Sequence, residues 1–432
     1  MDQAATIWDH CLQHTALSDV GLRRANNQDA MAVVIAGSQE LWQRRGHLFV
    51  VADGMGAHAA GELASKLATD TIALAYSKRL DLPPAEALFE ATRQANQHIH
   101  DCGQADPDFR GMGTTSTALL LLPEGAVLAH VGDSRAYRLR DGCLEQLTFD
   151  HSLIWEMRSA GQIAEDKIPD YIPRNIITRS LGPSTIVDID LEGPFPIEPG
   201  DTFLLCSDGL SGPVKDGEIG AILHCMPPDE SARALVNLAN LRGGPDNISV
   251  IVVRVVGPLL ARTQGAGPRS PAVASTDGSG NPLVWTIPGV CGLGAVGAAV
   301  TQRWILALIC LIGAVAAGIA GWTRRSGESP TITSPPGKPL GKGPYVSITC
   351  PADGKFVQQL ADMVQDLCDA AIREDWVVDW PQLNAFRQKA AAAREAAADS
   401  GGVQEYFRAI DFVMGQLKRQ RRNGNPPGRT EG

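Results

Sequence analysis

The chain has 432 residues, of which 44% are hydrophobic and 20% are charged, and its formal net charge is −10. This length exceeds one typical domain, and the composition is that of a globular protein. The acidic balance argues against a nucleic-acid partner, which would require a basic surface. The nine cysteines include no C-x-x-C pair, which argues against a zinc or dithiol redox site.

The first strand-like segment with chemical interest is SDVGLRRANNQDAMAVV, in which Asp29 precedes an apolar run and Arg24 lies five residues earlier. The next is FVVADGMGAHAAGE at 49–62, where an apolar run ends at Asp53. Gly54 lets the backbone turn sharply or approach a ligand closely. His58 follows, and helical spacing then predicts a helix over 60–78. This order of strand, glycine-rich loop and helix is typical of a ligand-binding edge.

Further along the chain, three more aspartates lie at the ends of apolar runs. Asp133 follows one in LAHVGDSR, Asp208 follows another in TFLLCSDGL, and Asp246 precedes a third in GGPDNISVIVV. Any one of these residues is as well explained as a turn or cap residue. If they converge, their oxygens form the hard-ligand site that Mg²⁺ and Mn²⁺ prefer.

Two other polar segments have simpler interpretations. The dipeptide Asp141-Gly142 in LRDGCLEQL predicts a two-residue β-hairpin turn. Asp150 and Ser152 precede LIWEMRSAG and are interpreted as capping residues of that helix. Helical spacing also predicts helices over 84–101 and 229–241.

The C-terminal 175 residues differ in composition from the rest. A flexible linker is expected at 258–283 and a Pro-rich linker at 324–344. Between them, 305–321 carry no charge and are bracketed by Trp304 and Trp322, which predicts a transmembrane helix at 304–322. The alternative is a buried core helix. A helical domain of three helices is expected at 345–420, followed by a basic, disordered tail at 421–432.

Eight sequence blocks give the chain from about 14 to 256 a resemblance to a known family. In order, they are SDVGLRRANNQDA, VVADGMGAHAAGE, GMGTTSTALLL, HVGDSRAYRLRDG, LTFDHSL, IPRNIITRSLG, LLCSDGL and GGPDNISVIVV. They resemble the bacterial branch of the protein phosphatase 2C family, the metal-dependent protein Ser/Thr phosphatases. The resemblance implies an α+β fold, with a central antiparallel β-sandwich flanked by helices on both faces, and a catalytic domain at 12–257.

The resemblance also implies a metal centre with two Mn²⁺ or Mg²⁺ ions. Asp53 would bridge both ions, and the Gly54 carbonyl would bind one of them. Asp208 and Asp246 would complete the other ion, and Asp29 would act mainly through bound water.

The remaining site residues are implied in the same way. Asp133, with Asp208, matches the family position of a third and weaker ion. Arg24 would hold the phosphate with its guanidinium fork. His58 would protonate the leaving serine or threonine oxygen, since its ordinary pKa lies near the working pH.

The expected function is hydrolysis of phosphoserine and phosphothreonine by metal-activated water. Departures from the family pattern at Gln28, Ala57 and Ile172 spare the direct metal ligands, so an active enzyme is expected. The alternative is a non-catalytic phosphoprotein-binding or scaffold protein that keeps the fold. The expected partners are phosphorylated proteins, including a Ser/Thr kinase and its substrates.

The expected localisation is the cell membrane, with one span and a cytoplasmic catalytic domain, because the N-terminal segment shows no signal peptide. Residues 345–432 would then lie outside the cytoplasm, where Cys350 and Cys368 could form a disulfide. Arg324 and Arg325 follow the span and oppose this orientation. A hairpin with a first leg at 284–300 is the alternative, although that leg is only weakly apolar.

Overall fold

The computed structural model describes residues 8, 10–56, 59–163, 172–173, 176–258, 340–350, 354–396 and 398–422. Within these residues the chain forms twelve strands, ten α-helices and one 3-10 helix, Pro107–Phe109. The strands are β1 (Leu12–Asp19), β2 (Asp29–Val34), β3 (His47–Met55), β4 (Gly113–Thr114), β5 (Ser116–Leu122), β6 (Gly125–Val131), β7 (Arg135–Arg140), β8 (Cys143–Gln146), β9 (Asp190–Phe195), β10 (Thr202–Cys206), β11 (Ile248–Val255) and β12 (Val346–Thr349). The helices are α1 (Gln39–Arg45), α2 (Ala60–Lys78), α3 (Pro84–Ala105), α4 (Leu153–Ser159), α5 (Asp208–Ser211), α6 (Asp216–Cys225), α7 (Pro228–Leu241), α8 (Gly354–Arg373), α9 (Trp380–Glu395) and α10 (Asp399–Arg422).

The strands build two antiparallel sheets. The first has the order β1-β11-β10-β7-β8-β12, and the second has the order β2-β3-β5-β6-β9, with the short β4 paired to the end of β3. The expected α+β fold, with antiparallel sheets flanked by helices, is therefore confirmed. The Asp141-Gly142 turn between β7 and β8 is also confirmed, since both residues have the positive φ that such a turn needs, 49° and 75°.

The hydrophobic residues of β11 alternate between two cores. Ile251 and Val253 pack between the two sheets, in a core that also contains Phe49 of β3 and Phe203 of β10. Val250, one position away, faces the helices on the other side of the first sheet. Because successive side chains of a strand point to opposite faces, a continuous apolar run such as VIVV at 250–253 is buried on both sides.

Helices cover the outer faces of both sheets. Helices α2 and α3 pack on each other, and α2 lies on β2 and β3 of the second sheet. The buried face of α2 includes Ala64, Ala68 and Ile72, at the four-residue spacing that keeps side chains on one face. Helices α6 and α7 pack on the first sheet, where α7 contacts β1 and β11.

The C-terminal part of the chain packs onto this fold. Strand β12 pairs antiparallel with β8 and extends the first sheet by one strand, and α10 contacts α6 and α7. Val357, Phe407 and Ile410 are buried in the same core as Ile222 and Leu235 of α6 and α7. The described residues of 340–422 accordingly belong to one compact unit with the described residues of 8–258.

The expected single-pass membrane arrangement is wrong. That arrangement would place the catalytic part and residues 345–432 on opposite sides of a membrane, yet β12 is hydrogen-bonded to β8. Over the described ranges of the chain, we find no helix with the length and apolar character needed to cross a bilayer. The segment 304–322 and the alternative leg at 284–300 lie outside the described residues, as do 259–283, 324–339 and 423–432.

The suggested disulfide between Cys350 and Cys368 is not formed, because both thiols are free and buried. Cys350 packs instead against Gly220 of α6, where a side-chain carbon added to the glycine would lie 2.6 Å from the Cys350 Cβ. Real Cβ atoms do not approach this closely, so the glycine allows β12 and its following residues to lie against α6.

This contact predicts that Gly220→Ala destabilises the protein by about 1–3 kcal/mol, since overpacking forces the C-terminal segment away from α6. The matched control is Gly217→Ala in the same helix, which has open space around it and should change the stability by less than about 1 kcal/mol. Urea unfolding of the full chain measures both values. Equal stability of the two variants would show that the C-terminal segment does not pack here.

Candidate metal centre

The five aspartates predicted from the sequence converge at one edge of the sandwich. Asp29 and Asp53 are directly opposite each other where β2 pairs with β3. Asp208 follows β10, Asp246 precedes the neighbouring β11, and Asp133 lies between β6 and β7. Burial raises the pKa of Asp53 well above its ordinary value, and the charges of the other four aspartates raise it further. The carboxylates are therefore close enough to repel one another.

The electrostatics of the other aspartates show the same crowding. Burial raises the pKa of Asp29 to about 7 and, together with the charge of Asp208, raises that of Asp133 to about 7. Burial and the charge of Asp246 also raise the pKa of Asp208. Carboxylates crowded in this way hold protons unless cations neutralise them.

Unpaired oxygens show that the cluster suits a hard cation. The Oδ1 atoms of Asp29, Asp133 and Asp208 are buried without a hydrogen-bond partner. A buried acceptor without a partner costs about 1–3 kcal/mol, and carboxylate oxygens are the donors that Mg²⁺ and Mn²⁺ take. Among the described residues, no three acidic, histidine or cysteine side chains already surround a single ion position. The carboxylate oxygens and the negative charge of the cluster therefore fit divalent cations, although the aspartates do not already surround one ion position.

Gly54 follows Asp53 in β3, and its place requires glycine. A side-chain carbon there would lie 2.6 Å from the Gln28 carbonyl oxygen, to which the Gly54 amide donates at 3.1 Å. Its own carbonyl oxygen faces the start of α2 at Gly61. The role of this carbonyl as a metal ligand stays a prediction.

Arg24 lies beside the cluster, as predicted. Its Nη2 donates to Asp246 Oδ2 at 2.7 Å, and its side chain is 50% exposed. The hydrogen bond to Asp246 raises the pKa of Arg24, and the charges of Asp53 and Asp208 add to this effect. A half-exposed guanidinium at the open side of the cluster is placed to meet an anionic ligand. His58 lies outside the described residues.

Asn247 was not recognised from the sequence, although it follows Asp246. It is 3% exposed and holds the loop between β1 and β2. Its Oδ1 accepts from the Gln28 amide at 2.8 Å, and its Nδ2 donates to the carbonyls of Val20 and Asn26 at 2.9 and 3.0 Å. The loop that carries Arg24 is thereby fixed to the start of β11.

Two hydroxyl side chains also fix the aspartates. Ser207 Oγ donates to Asp29 Oδ2 at 2.8 Å and accepts from the Ser249 amide at 3.0 Å. Thr115 Oγ1 accepts from the Asp53 amide at 2.9 Å. The only signal for these residues in the sequence is their position next to predicted strands, which does not separate them from other hydroxyl residues.

The two residues interpreted as helix caps divide between two roles. Ser152 is the N-cap of α4 and accepts from the Trp155 amide, as predicted. Asp150 is not a cap: it is 4% exposed and binds the Arg135 guanidinium, with its Oδ2 2.7 Å from Nη2. A buried carboxylate needs such a partner. The pair lies next to Asp133, because Arg135 begins β7.

A buried carboxylate cluster with an arginine at its open side is the arrangement of a metal-dependent hydrolase of phosphate esters. Comparison with known proteins agrees with this class. The family model for protein phosphatase 2C matches residues 23–235. A putative protein phosphatase 2C-type protein of Streptococcus pyogenes serotype M6 is 39% identical over 241 residues, which cover 55% of this chain and 94% of that protein.

Solved structures give the same result. The serine/threonine phosphatase PstP of Mycobacterium tuberculosis is 40% identical over 257 residues, which cover 59% of this chain and 47% of that protein. A crystal structure of that phosphatase aligns with a TM-score of 0.52 at 37% identity, covering 57% of this chain and all of that one. A crystal structure of the catalytic domain of a serine/threonine protein phosphatase PstP in complex with two manganese ions aligns with a TM-score of 0.50 at 37% identity, covering 57% of this chain and 99% of that one.

The chain therefore belongs to the protein phosphatase 2C family. The expected protein phosphatase activity, a hydrolase activity, is confirmed by this membership, and the expected Mn²⁺ or Mg²⁺ cofactors agree with the two manganese ions bound by the PstP catalytic domain.

Proposed function

We propose that residues 12–257 form the catalytic domain and that the aspartate cluster is the centre that hydrolyses phosphoserine and phosphothreonine. The convergence of five aspartates from separate strands carries this proposal. The proposed metal-binding residues are Asp29, Asp53, Gly54, Asp133, Asp208 and Asp246. When bound, the divalent cations supply a water nucleophile and neutralise charge on the phosphoryl oxygens.

The residues of the chain hold this centre in place before substrate arrives. Asp29 is oriented by Ser207, and the backbone of Asp53 is fixed by Thr115, so neither carboxylate must be rearranged at the moment of reaction. Such preorganisation lowers the cost of stabilising the transition state.

Arg24 is the proposed phosphate-binding residue. Its guanidinium already holds an anionic oxygen, that of Asp246, and half of its side chain is open to solvent. A phosphate group at the cluster would offer two anionic oxygen atoms, and the planar guanidinium of Arg24 can donate a hydrogen bond to each of them. His58 is proposed, from the family resemblance, as the acid that protonates the leaving oxygen.

The proposed partners are phosphorylated proteins, including those modified by a Ser/Thr protein kinase. The family membership and the acidic cluster support this proposal. Surfaces outside the cluster determine which phosphoproteins are substrates.

The first functional prediction concerns the aspartates. Asp53→Ala and Asp208→Ala should each lower Mn²⁺-dependent kcat/KM on p-nitrophenyl phosphate by more than about 100-fold, since even indirect metal contacts cost 10–100-fold. The control is Asp70→Ala, whose side chain on α2 is 64% exposed and should leave activity unchanged. Near-wild-type turnover of both cluster variants at limiting Mn²⁺ would contradict the proposal that Asp53 and Asp208 bind the catalytic metal ions.

The second functional prediction separates the two arginines of the β1–β2 loop. Arg24→Ala should raise KM about 10-fold or more with a smaller change in kcat, because it removes a charged contact to phosphate in ground and transition state alike. Arg23→Ala is the matched neighbour and should keep both constants. Steady-state kinetics on a phosphothreonine peptide decides the matter, and equal effects of the two substitutions would contradict the role given to Arg24.

A further inference from the structure

A groove next to the metal centre is built jointly by the catalytic part and the C-terminal part of the chain. Its volume is about 730 Å³, within the range of roughly 300–1,000 Å³ found for ligand sites. We name it the β12 groove. Its walls include Phe149, Trp155, Arg158, Lys215, Tyr345 and Val346.

The β12 groove lies near the aspartate cluster, since the charge of its lining residue Arg135 acts on both Asp133 and Asp208. Gly212, which lines the groove, donates its amide to the Asp208 carbonyl at 2.7 Å. Arg135, which also lines the groove, begins β7 two residues after Asp133. The groove is therefore near enough to meet residues that flank a phosphorylated side chain bound at the cluster.

The C-terminal wall of the groove is fixed by specific contacts. Val346 pairs with Gln146 in the β8–β12 ladder. The ring of Tyr345 contacts Phe149 edge-on, with centroids 5.5 Å apart, and its hydroxyl is hydrogen-bonded to Glu192. Phe149 in turn contacts Trp155 at 5.3 Å. The aromatic surface of the groove thus requires the C-terminal segment.

Among the described residues that line the groove, three side chains are basic and one is acidic. Its one acidic side chain among the described residues, Asp216, is already bound by Arg135 at 3.5 Å and by the Tyr137 hydroxyl at 2.9 Å. Arg135 is also bound to Asp150. Lys215, which is exposed, adds a positive charge on the same walls. An extended segment with carboxylates and an apolar side chain would complement this combination.

We propose that the β12 groove binds the residues that flank the phosphorylated serine or threonine of a protein substrate, and that it selects acidic segments with an apolar side chain. This inference rests on the proposed phosphatase function and assigns the C-terminal part of the chain a direct role in substrate choice.

The test compares two phosphothreonine peptides of equal length, one with glutamates and one with glutamines beside the phosphothreonine, and p-nitrophenyl phosphate, which is too small to reach the groove. Wild-type full-length protein should prefer the glutamate peptide. Lys215→Glu and Val346→Glu should each lower kcat/KM for that peptide about tenfold through KM, and leave kcat/KM for p-nitrophenyl phosphate within about twofold. Fluorescence anisotropy without added metal should show the same loss of peptide binding.

Matched controls place a glutamate outside the groove. Thr349→Glu lies on the exposed side of the same strand β12, and Lys389→Glu reverses an exposed lysine on α9; both should behave as wild type. Equal hydrolysis of the two peptides by wild type would overturn the groove proposal while leaving the phosphatase function intact. Absence of Mn²⁺-dependent hydrolysis of every substrate would instead overturn the proposed function. Faster hydrolysis of both peptides by Lys215→Glu would show that the groove holds another segment of this chain, and would also overturn the proposal.

Discussion

The mutual repulsion of buried aspartates at one edge of the sandwich is the constraint on which the rest of the structure depends. Burial and neighbouring charge raise the pKa of Asp29, Asp53, Asp133 and Asp208. A free-energy cost of this kind is tolerated only where a rigid scaffold holds the carboxylates. Here the scaffold is the paired strands and the dry core between the two sheets, and the proposed divalent cations would neutralise the repelling charges.

The sequence allowed much of the fold and the chemical class to be predicted. Apolar runs such as ISVIVV and the Asp141-Gly142 turn are local signals, and the ordered aspartate blocks carried the family resemblance. Asn247 and Ser207 could not be predicted in their roles, because their partners Val20 and Asp29 lie far away in the chain. Asp150 was misinterpreted for the same reason. Its partner Arg135 lies 15 residues earlier in the chain, and an aspartate that precedes a helix gives the same sequence pattern whether it caps that helix or forms a buried ion pair.

The C-terminal part of the chain shows a different limit. Helical spacing predicted three helices, and three are present as α8, α9 and α10. The surface on which an amphipathic helix packs is not encoded in its periodicity. Apolar segments next to linkers therefore favoured a membrane-separated domain, whereas β12 pairs with β8 and Phe407 shares a core with Leu235. This packing places the C-terminal segment beside the metal centre.

The most direct test of the account is the stability of Asp53→Asn, measured by urea unfolding at pH 7.5 with and without Mn²⁺. Without metal, the variant should be at least as stable as wild type, because the amide replaces a carboxyl that must either carry a charge in the repelling cluster or take up a proton on folding. Mn²⁺ should stabilise the wild type and have little effect on the variant, because only the wild type keeps the central ligand. A variant that is less stable without metal, and is stabilised by Mn²⁺ as much as wild type, would contradict the account.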